Sequence, residues 1–315
     1  MLSRALAVPR SRLLDLFGPT SSAGGISGLL PKLKAYRGAS IVNGHRPESL
    51  GRMGSLEVRF AQSAAEVRAA QKVRYQVFFK EGDAVANAAT KLARRDIDAF
   101  DPICDHLLVL DHAASENAAA RTPAVVGTYR LLRQELAEKH GGFYSAAEFD
   151  VGELIARHPG LRFLELGRSC VLAPYRNKRT LELLWHGIGA YTAQNQPDVM
   201  IGCASLDGTD PEQLALALSF LHHFARAPEQ WHAQAVAHRR VEMNLIPKDA
   251  IDPKRALRVL PPLIKGYLRL GAYIGDGAVI DHQFGTTDVL IVLPVKKITA
   301  RYMAHFQASG QRDAA

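Results

Sequence analysis

The sequence has little cysteine, with three among its 315 residues. Cys104, Cys170 and Cys203 form no CxxC pair, and each lies in or beside an apolar, strand-like segment. Isolated cysteines of this kind indicate reduced core thiols of a cytosolic protein and argue against a disulfide framework. We therefore expect a cytoplasmic location, and we predict no metal site.

Long hydrophobic runs and nucleic-acid motifs are also missing. The longest apolar stretches, such as Val289 to Leu293, fall far short of the ~20 residues that a membrane-spanning helix needs. Basic residues are not interleaved with aromatic residues in any motif that binds nucleic acid. The net charge of +8 still indicates an acidic partner, so we expect an acidic protein or an anionic membrane surface and no nucleic acid.

Composition divides the chain into three parts. Residues 1–52 are rich in Gly, Ser and Pro and carry mostly basic charges, which predicts a disordered leader or, alternatively, a weak anchor on the membrane surface. Residues 53–306 show the regular apolar patterns of a single folded domain, with a mostly helical insertion at about residues 205–260. Residues 307–315 are expected to form a loose tail.

Hydrophobic periodicity predicts a sheet flanked by helices. Alternating apolar residues predict strands, and apolar residues spaced by three and four predict helices. The predicted strands are 56–60, 106–110, 125–132, 163–172, 199–204 and 289–293. The predicted helices are 64–81, 180–194 and one that begins at residues 261–262. These elements predict an α+β fold with a mainly antiparallel central sheet.

The stretch ELGRSCV, residues 165–171, places an ionisable pair within an apolar run. A basic loop, residues 174–179, and a helix from Thr180 follow at once. This succession of strand, basic loop and helix resembles acyltransferases of the GNAT type. The resemblance implies a three-layer α/β/α fold with a mixed, mainly antiparallel sheet, in which two neighbouring strands splay to admit an acyl thioester.

Separate motifs make the resemblance more specific. Five features have the order and approximate spacing seen in acyl-homoserine-lactone synthases. They are residues 74–78, residues 96–101, Arg130, Glu165 and Arg168. The stretch GRSCVLAPYRNKRTLELLWHGI is more similar to their relatives, the bacterial ornithine N-acyltransferases. The resemblance extends over about residues 56–305.

That resemblance implies an N-acyltransferase, peripheral to the inner membrane, that moves a long, 3-hydroxylated acyl chain from acyl carrier protein to the α-amine of L-ornithine. The product would be lyso-ornithine lipid. It implies no tightly bound cofactor, since phosphopantetheine arrives on the carrier protein as part of a co-substrate. Two alternatives stay open: an autoinducer synthase that uses S-adenosylmethionine as acceptor, and a non-catalytic module that binds carrier protein or membrane.

Glu165 is the predicted general base. A carboxylate in a partly desolvated cleft can have its pKa raised and can take a proton from the attacking amine, directly or through water. A structural ion pair with Arg168 or Arg130 is the alternative. Residues three apart on a regular strand point to opposite faces, but Gly167 permits a bulge that re-aims its neighbours. We expect a backbone amide freed at Gly167 or Ser169 to stabilise the oxyanion.

The loop before the second predicted helix suggests a site for the phosphate end of the carrier. Backbone amides at a helix N-terminus attract phosphate. The loop is basic and lacks the glycines that let a backbone approach a pyrophosphate closely, which favours phosphopantetheine on an acidic carrier protein over free coenzyme A. A solvated basic turn is the alternative. The residues assigned to this site are Val171, Arg176, Asn177, Lys178 and Arg179.

Acidic and basic residues elsewhere predict a charged cluster. Either it binds the amino-acid acceptor or it forms ion pairs that order an N-terminal lid, and we favour the ion pairs for most members. Because acids alternate with apolar residues over 96–101, we expect a short extended segment there. The members are Arg74, Phe78, Asp96, Asp98, Asp101, Arg130 and Arg168.

Three further acids, Asp276, Asp281 and Asp288, flank glycines near the C-terminal end. Such residues usually form turns. In a GNAT-like fold this segment would lie near the mouth of the cleft. One of the three acids is therefore also a candidate to bind the side-chain ammonium of ornithine.

Overall fold

Ten strands form one sheet in the part of the chain that the structure describes. The structure is a computed structural model that describes residues 49–117 and 122–298. The strands are β1 (Gly51–Met53), β2 (Leu56–Phe60), β3 (Asp105–Asn117), β4 (Thr122–Arg133), β5 (Phe163–Val171), β6 (Val199–Asp207), β7 (Arg240–Val241), β8 (Tyr273–Ile274), β9 (Ala278–Asp281) and β10 (Thr286–Pro294). The predicted leader up to residue 48 and the predicted tail lie outside the described residues. Residues 51 and 52 belong to β1, and the division of the chain into leader, domain and tail stays a prediction.

The strands follow the order β1-β2-β3-β4-β5-β6-β10-β9-β7, and β8 also pairs with β10. Neighbouring strands are antiparallel except for β5 and β6, which run in parallel. A parallel pair needs a crossover connection. Helix α5, Lys178–Asn195, supplies it.

Helices lie on both faces of this sheet. Helix α1 begins at Ser63, whose hydroxyl accepts a hydrogen bond from the Glu66 amide at 3.3 Å. Such a cap satisfies an amide group that has no partner within the helix. Besides α5, the helices are α1 (Ala64–Tyr75), α2 (Ala88–Ala93), α3 (Gln134–Lys139), α4 (Val151–Ala156), α6 (Ala215–Ala225), α7 (Pro253–Val259) and α8 (Pro262–Leu270).

Alternation along the strands sends apolar side chains to both faces of the sheet. On one face, Leu107 and Val109 of β3 belong to the apolar cluster that α5, α6 and α8 cover. On the other face, Leu108 and Leu110 pack beneath α1, and a further cluster lies beneath α3 and α4. Helices therefore enclose the sheet from both sides. This confirms the predicted three-layer fold with a mixed, mainly antiparallel sheet.

Some predicted elements have a different local form. The predicted helix 64–81 is α1 followed by a π-helical segment, Gln76–Glu81. The predicted extended segment over 96–101 is wrong, because the Asp98 carboxylate accepts a hydrogen bond from the Phe100 amide at 2.8 Å and turns the chain. A 3-10 helix, Asp101–Ile103, follows this turn.

The predicted insertion, residues 205–260, begins inside β6 and contains only short helices. Prolines at 228, 247 and 253 divide it into α6, two 3-10 helices, β7 and α7. Proline removes a hydrogen-bond donor and restricts the residue before it, so each one interrupts regular structure. Across residues 49–117 and 122–298, no helix combines the length and the apolar character needed to cross a membrane.

Candidate active site

The sheet opens into a wedge between β5 and β6. The two strands pair only over residues 163–165 of β5 and 199–201 of β6. Beyond this point β5 continues to Val171 and β6 continues to Asp207, but their residues no longer pair with each other. The backbone edge of β5 that faces the wedge is therefore open to a ligand.

Gly202 lies at the apex of the wedge. A Cβ atom at this position would lie 2.2 Å from the carbonyl oxygen of Leu166, which is too close for any side chain. The backbones of β5 and β6 can make this approach only because glycine has no Cβ. Gly202 thus sets where the two strands begin to separate.

A β-bulge follows the apex on β5. Residues 167–170 of β5 face residues 128–130 of β4, so β5 carries one extra residue. The bulge was predicted at Gly167, but the residue in the left-handed region is Arg168, with φ of 51°. A non-glycine residue in this region is strained and persists only where its surroundings hold it. As a result, both Glu165 and Arg168 line the same cavity.

This cavity has a volume of about 530 Å³ and an acidic lining. Its six carboxylates outnumber its three guanidinium groups, and each guanidinium is ion-paired to an aspartate or glutamate. The net charge of the whole chain is +8, so the acidic cavity is a local feature. The acids are Glu81, Asp83, Glu165, Asp207, Asp281 and Asp288, and the cations are Arg130, Arg168 and Arg176. Such a lining suits a cationic ligand.

The side chain of Glu165 is buried at the edge of the wedge, with 5% of its surface exposed. Its two carboxylate oxygens accept hydrogen bonds from the backbone amides of Tyr144, at 2.8 Å, and Ser145, at 2.7 Å. Burial raises the pKa of Glu165, and the hydrogen bonds oppose this shift. Among the described residues no cation lies within 4.0 Å of the carboxylate, so the alternative ion pair with Arg168 or Arg130 is not formed.

Three arginines and three aspartates form a closed ring of alternating charge, called here the arginine–aspartate ring. Each carboxylate bridges two guanidinium groups. The contacts, in order around the ring, are Arg74–Asp96 (2.8 Å), Asp96–Arg168 (3.3 Å), Arg168–Asp98 (3.2 Å), Asp98–Arg130 (2.6 Å), Arg130–Asp101 (3.3 Å) and Asp101–Arg74 (2.7 Å). The structure thus brings together six of the seven residues assigned to the charged cluster. Their role in the reaction stays a prediction.

The ring is buried and electrically balanced. Arg74 has none of its surface exposed and joins α1 to the turn at residues 96–101. Burial disfavours the charged form of Asp101, but the hydrogen bond and charge of Arg74 outweigh it and hold the pKa of Asp101 well below its ordinary value. Asp101 therefore favours its ionised form, and the ring ties α1 to β4 and β5.

Phe78 lies outside the ring and belongs to an aromatic wall of the cavity. Its ring meets Phe284 edge to face, with centroids 5.6 Å apart. The guanidinium of Arg168 stacks between Phe284, at 4.6 Å, and Tyr144, at 4.9 Å. These contacts hold the strained Arg168, and the π-helical segment that carries Phe78 positions the wall.

The predicted phosphate loop is only partly free to bind a ligand. Asn177 caps α5 by accepting a hydrogen bond from the Thr180 amide at 3.2 Å. Arg176 pairs with Glu81 and donates from Nε to the carbonyl of Val171 at 2.9 Å. Lys178 and Arg179 are exposed, and Lys178 makes a weak pair with Glu182 at 3.7 Å.

The three acids near the C-terminal end have separate environments. Asp276 is surrounded by cations, with Arg226 at 3.0 Å and Arg240 at 3.3 Å, and it does not line the cavity. Asp281 and Asp288 do line the cavity. Of the three acids, Asp276 is therefore already neutralised within the chain.

Glu148 joins the last two acids, and Glu148, Asp281 and Asp288 are called here the acidic face. Oxygens of Glu148 and Asp288 and the sulfur of Cys203 lie within 4.8 Å of one another. Burial, together with the charge of Asp288, raises the pKa of Glu148 to about 7, although a hydrogen bond from Cys203 and the charge of Arg239 act in the opposite direction. The prediction of no metal site stays a prediction.

The sequence patterns did not predict a role for Glu148, Gly202 or the polar row on β6. That row alternates polar and apolar residues, with Cys203 and Ser205 on the face of Glu165 and Ala204 on the opposite face. Alternation of this kind on a central strand was a readable signal for a polar cavity. Glu148 lies outside any strand, and no local pattern marks it.

Comparison with known proteins identifies the family. A model of the acetyltransferase (GNAT) domain matches residues 73–186. An L-ornithine N(alpha)-acyltransferase of Rhizobium meliloti (strain 1021) is 56% identical over 263 residues, which is 84% of this chain and 88% of that protein. The chain belongs to the L-ornithine N(alpha)-acyltransferase family. This confirms the resemblance found in the sequence.

Other members of the L-ornithine N(alpha)-acyltransferase family agree. A relative from Rhodobacter capsulatus is 39% identical over 248 residues, covering 79% of this chain and 93% of that one.

Among solved structures, an N-acyl amino acid synthase from uncultured soil microbes aligns with 78% of this chain and 94% of its own, at 9% identity and a TM-score of 0.45. The sequence identity to the curated relatives decides the family.

Proposed function

We propose that this protein transfers a 3-hydroxyacyl chain from acyl carrier protein to the α-amine of L-ornithine and releases lyso-ornithine lipid. Acyl transfer to ornithine follows from the family. The donor, the acyl chain and the roles of individual residues are the proposal. The observation that carries the proposal is the wedge between β5 and β6, which opens next to a buried carboxylate and an acidic cavity.

The wedge suits a thioester that arrives on a phosphopantetheine arm. Beyond Glu165, the edge of β5 has no strand partner on β6, so its amide groups are available to the amides of the arm. The bulge at Arg168 re-aims the backbone at Gly167 and Ser169, which supports an oxyanion site there. No tightly bound cofactor is needed, because the arm is part of the co-substrate.

The reaction is an acyl transfer from sulfur to nitrogen. The uncharged α-amine attacks the thioester carbonyl carbon, a C–N bond forms, and the C–S bond breaks as the tetrahedral intermediate collapses. The nitrogen loses one proton, and Glu165 is the proposed acceptor, directly or through a water molecule. That proton is then available to the departing thiolate, so charge and atoms balance.

The surface around the cavity mouth is the proposed docking site for the carrier. Lys178 and Arg179 are exposed at the start of α5, next to Arg176 at the cavity lining. An acidic carrier protein would be attracted to these cations, and the N-terminus of an 18-residue helix adds a partial positive charge. Contact with an anionic membrane surface would place the released lipid at its destination.

Product analysis tests the reaction as a whole. Purified full-length protein is incubated with 3-hydroxyacyl-[acyl carrier protein] and ornithine, with lysine and S-adenosylmethionine as parallel acceptors, and the lipid extract is analysed by mass spectrometry. We expect N-acyl-ornithine as the main product. A lactone formed from S-adenosylmethionine, or no product with any acceptor, would contradict the proposal.

The Glu165→Gln variant tests the proposed base. We expect kcat/KM to fall roughly 10²- to 10⁴-fold, because the amide cannot accept the proton. Since Glu165 also holds the amides of Tyr144 and Ser145, circular dichroism and thermal melting must show that the variant is folded. A purely structural role predicts a loss of stability together with an unchanged pH profile in the remaining activity.

A further inference from the structure

Asp288 is a buried carboxylate with no cation within 4.0 Å among the described residues. Among the buried acids of the described residues, only Asp111, Glu165, Asp281 and Asp288 make no ion pair within 4.0 Å. The last three of these line the cavity. Burying an ionised carboxylate is costly unless it is paired or strongly hydrogen-bonded. The cavity therefore gathers three buried carboxylates that form no ion pair among the described residues.

Asp288 has the weakest internal partners of the three. Glu165 accepts from two backbone amides, and Asp281 accepts from the amides of Gln283 and Phe284 at 2.8 and 3.0 Å. Asp288 instead accepts from hydroxyl groups, those of Thr286 at 2.9 Å and of Ser205. Hydroxyl groups rotate and can exchange partners, whereas the amides of a turn are fixed.

The register of the sheet directs Asp288 into the cavity. Asp288 of β10 pairs with Ser205 of β6, and paired residues project from the same face. Further along this face, Leu290 and Ile201 belong to the apolar cluster beneath α3 and α4. Asp288 thus lies where the lining changes from apolar to polar. The carboxylate is only 7% exposed, and it faces a cavity large enough for an amino acid.

A second carboxyl group lies close behind Asp288. One oxygen of Glu148 lies within 4.8 Å of one oxygen of Asp288. A single ammonium nitrogen makes charge-assisted hydrogen bonds of about 2.8 Å and can donate three of them, so it can contact two oxygens at this separation. Burial and the charge of Asp281 raise the pKa of Asp288, although its hydroxyl hydrogen bonds and the charge of Arg168 act in the opposite direction. A bound cation would favour the ionised form further.

We infer that Asp288 binds the terminal ammonium of the ornithine side chain, with Glu148 as a second acceptor behind it. This inference rests on the proposed function and adds the residue that selects a diamino acid over a neutral one. It also narrows the three candidate acids to one. Asp276 is neutralised by arginines, and Asp281 is held by its own turn.

The Asp288→Asn variant tests the inference, because it removes the charge and keeps the shape. Two acceptors are compared, ornithine and norleucine, in which a methyl group replaces the terminal ammonium. We expect kcat/KM for ornithine to fall roughly 10- to 100-fold while the value for norleucine changes less than about threefold. Asp111→Asn is the matched control, since Asp111 is equally buried, lacks an ion pair and lies outside the cavity.

A second variant separates binding from structure. Asp288→Glu moves the carboxylate about one methylene further into the cavity, so we expect the preference to shift from ornithine towards 2,4-diaminobutyrate, which is one methylene shorter. A residue with a purely structural role would not show this exchange of preference. Equal losses with all acceptors in both variants would overturn the inference. If the wild-type protein acylates no ornithine at all, the proposed function itself fails, which is a different result.

Discussion

The arginine–aspartate ring and the acidic face lie on either side of the wedge, and both bury several charges. In the ring, each carboxylate contacts two guanidinium groups, and the charges cancel. In the acidic face, Asp281 and Asp288 have no ion pair among the described residues, and Glu148 has only Arg239, at 3.3 Å. Within one site, the charges of the ring are therefore paired, whereas most carboxylates of the acidic face are not.

The difference indicates different tasks. Ion pairs with several hydrogen bonds offset the cost of burial, so the ring can hold α1, β4 and β5 together at any moment of the reaction. Hydrogen bonds offset only part of the cost of burying carboxylates without cations, and a cationic ligand would offset more of it. We therefore expect the ring to position the elements of the site, and we propose that the acidic face selects the ligand.

Breaking the ring should have the largest effect. The Arg74→Leu variant leaves Asp96 and Asp101 buried without their main partner, so we expect the free energy of unfolding to fall by about 3–5 kcal/mol. Urea denaturation followed by circular dichroism measures this change. Glu153→Ala is the control, because Glu153 is 73% exposed and its pair with Arg157 spans 4.0 Å. We expect a change within about 0.5 kcal/mol there.

A loss below about 1 kcal/mol in Arg74→Leu would contradict the assignment of the ring as a structural element. The loss should also appear in the absence of substrates, since the ring is complete without them.

Glu148 of the acidic face should respond to pH in the opposite way from Asp101 of the ring, because the pKa of Glu148 is raised and that of Asp101 is lowered. The pKa of Glu148 is raised from 4.5 to about 7, so its neutral form stabilises the fold. This stabilisation is fully present below pH 4.5, decreases as pH rises, and is lost once pH passes about 7. We expect the Glu148→Gln variant to remove this dependence, which is on the order of 3 kcal/mol between the two limits.

Chemical denaturation of wild type and Glu148→Gln at a series of pH values measures the difference. Glu153→Gln serves as the control, because it removes an exposed carboxylate from α4 and should leave the wild-type curve unchanged. Parallel curves for wild type and Glu148→Gln would show that folding does not raise the pKa of Glu148, against the expectation.

Much of this comparison could be predicted from the sequence, although unevenly. Period-two alternation placed the strands, and the order of Arg74, Arg130 and Arg168 relative to the aspartates indicated a charged cluster. Local patterns could not show that the cluster closes into a ring, because closure depends on Arg168 adopting a left-handed conformation that glycine would usually supply. Contacts such as those between Glu165 and the amides of residues 144–145 join segments about twenty residues apart, and no periodicity reports them.

Gly202 separates the two regions, and replacing it should have an intermediate effect. In the Gly202→Ala variant, the methyl group would meet the Leu166 carbonyl oxygen, which belongs to the backbone and cannot rotate away. We expect a loss of about 1–3 kcal/mol in stability, because β5 and β6 must move apart. Differential scanning fluorimetry and ornithine acylation would both report this.

The matched control is Gly266→Ala in α8, where the added methyl group would meet no described atom within 4 Å apart from its chain neighbours and the backbone of its own helix. We expect it to be neutral or to stabilise the fold by up to about 1 kcal/mol, because alanine favours a helix over glycine. Similar losses in both variants would mean that the apex is not specifically sensitive.

The smallest effect is expected at the cavity mouth, where the charge is opposite to that of the acidic face. Lys178 and Arg179 are exposed, so removing them should leave the fold and kcat unchanged and should raise the KM for the acyl carrier protein about two- to fivefold. The increase should shrink as salt is added, because salt screens exposed charges. Lys139→Ala on α3 is the control for an exposed cation on a different helix. If the double variant instead changes the KM for ornithine and leaves the KM for the carrier unaltered, the basic loop does not dock the donor. The separation between a basic mouth for the donor and an acidic interior for the acceptor would then have to be abandoned.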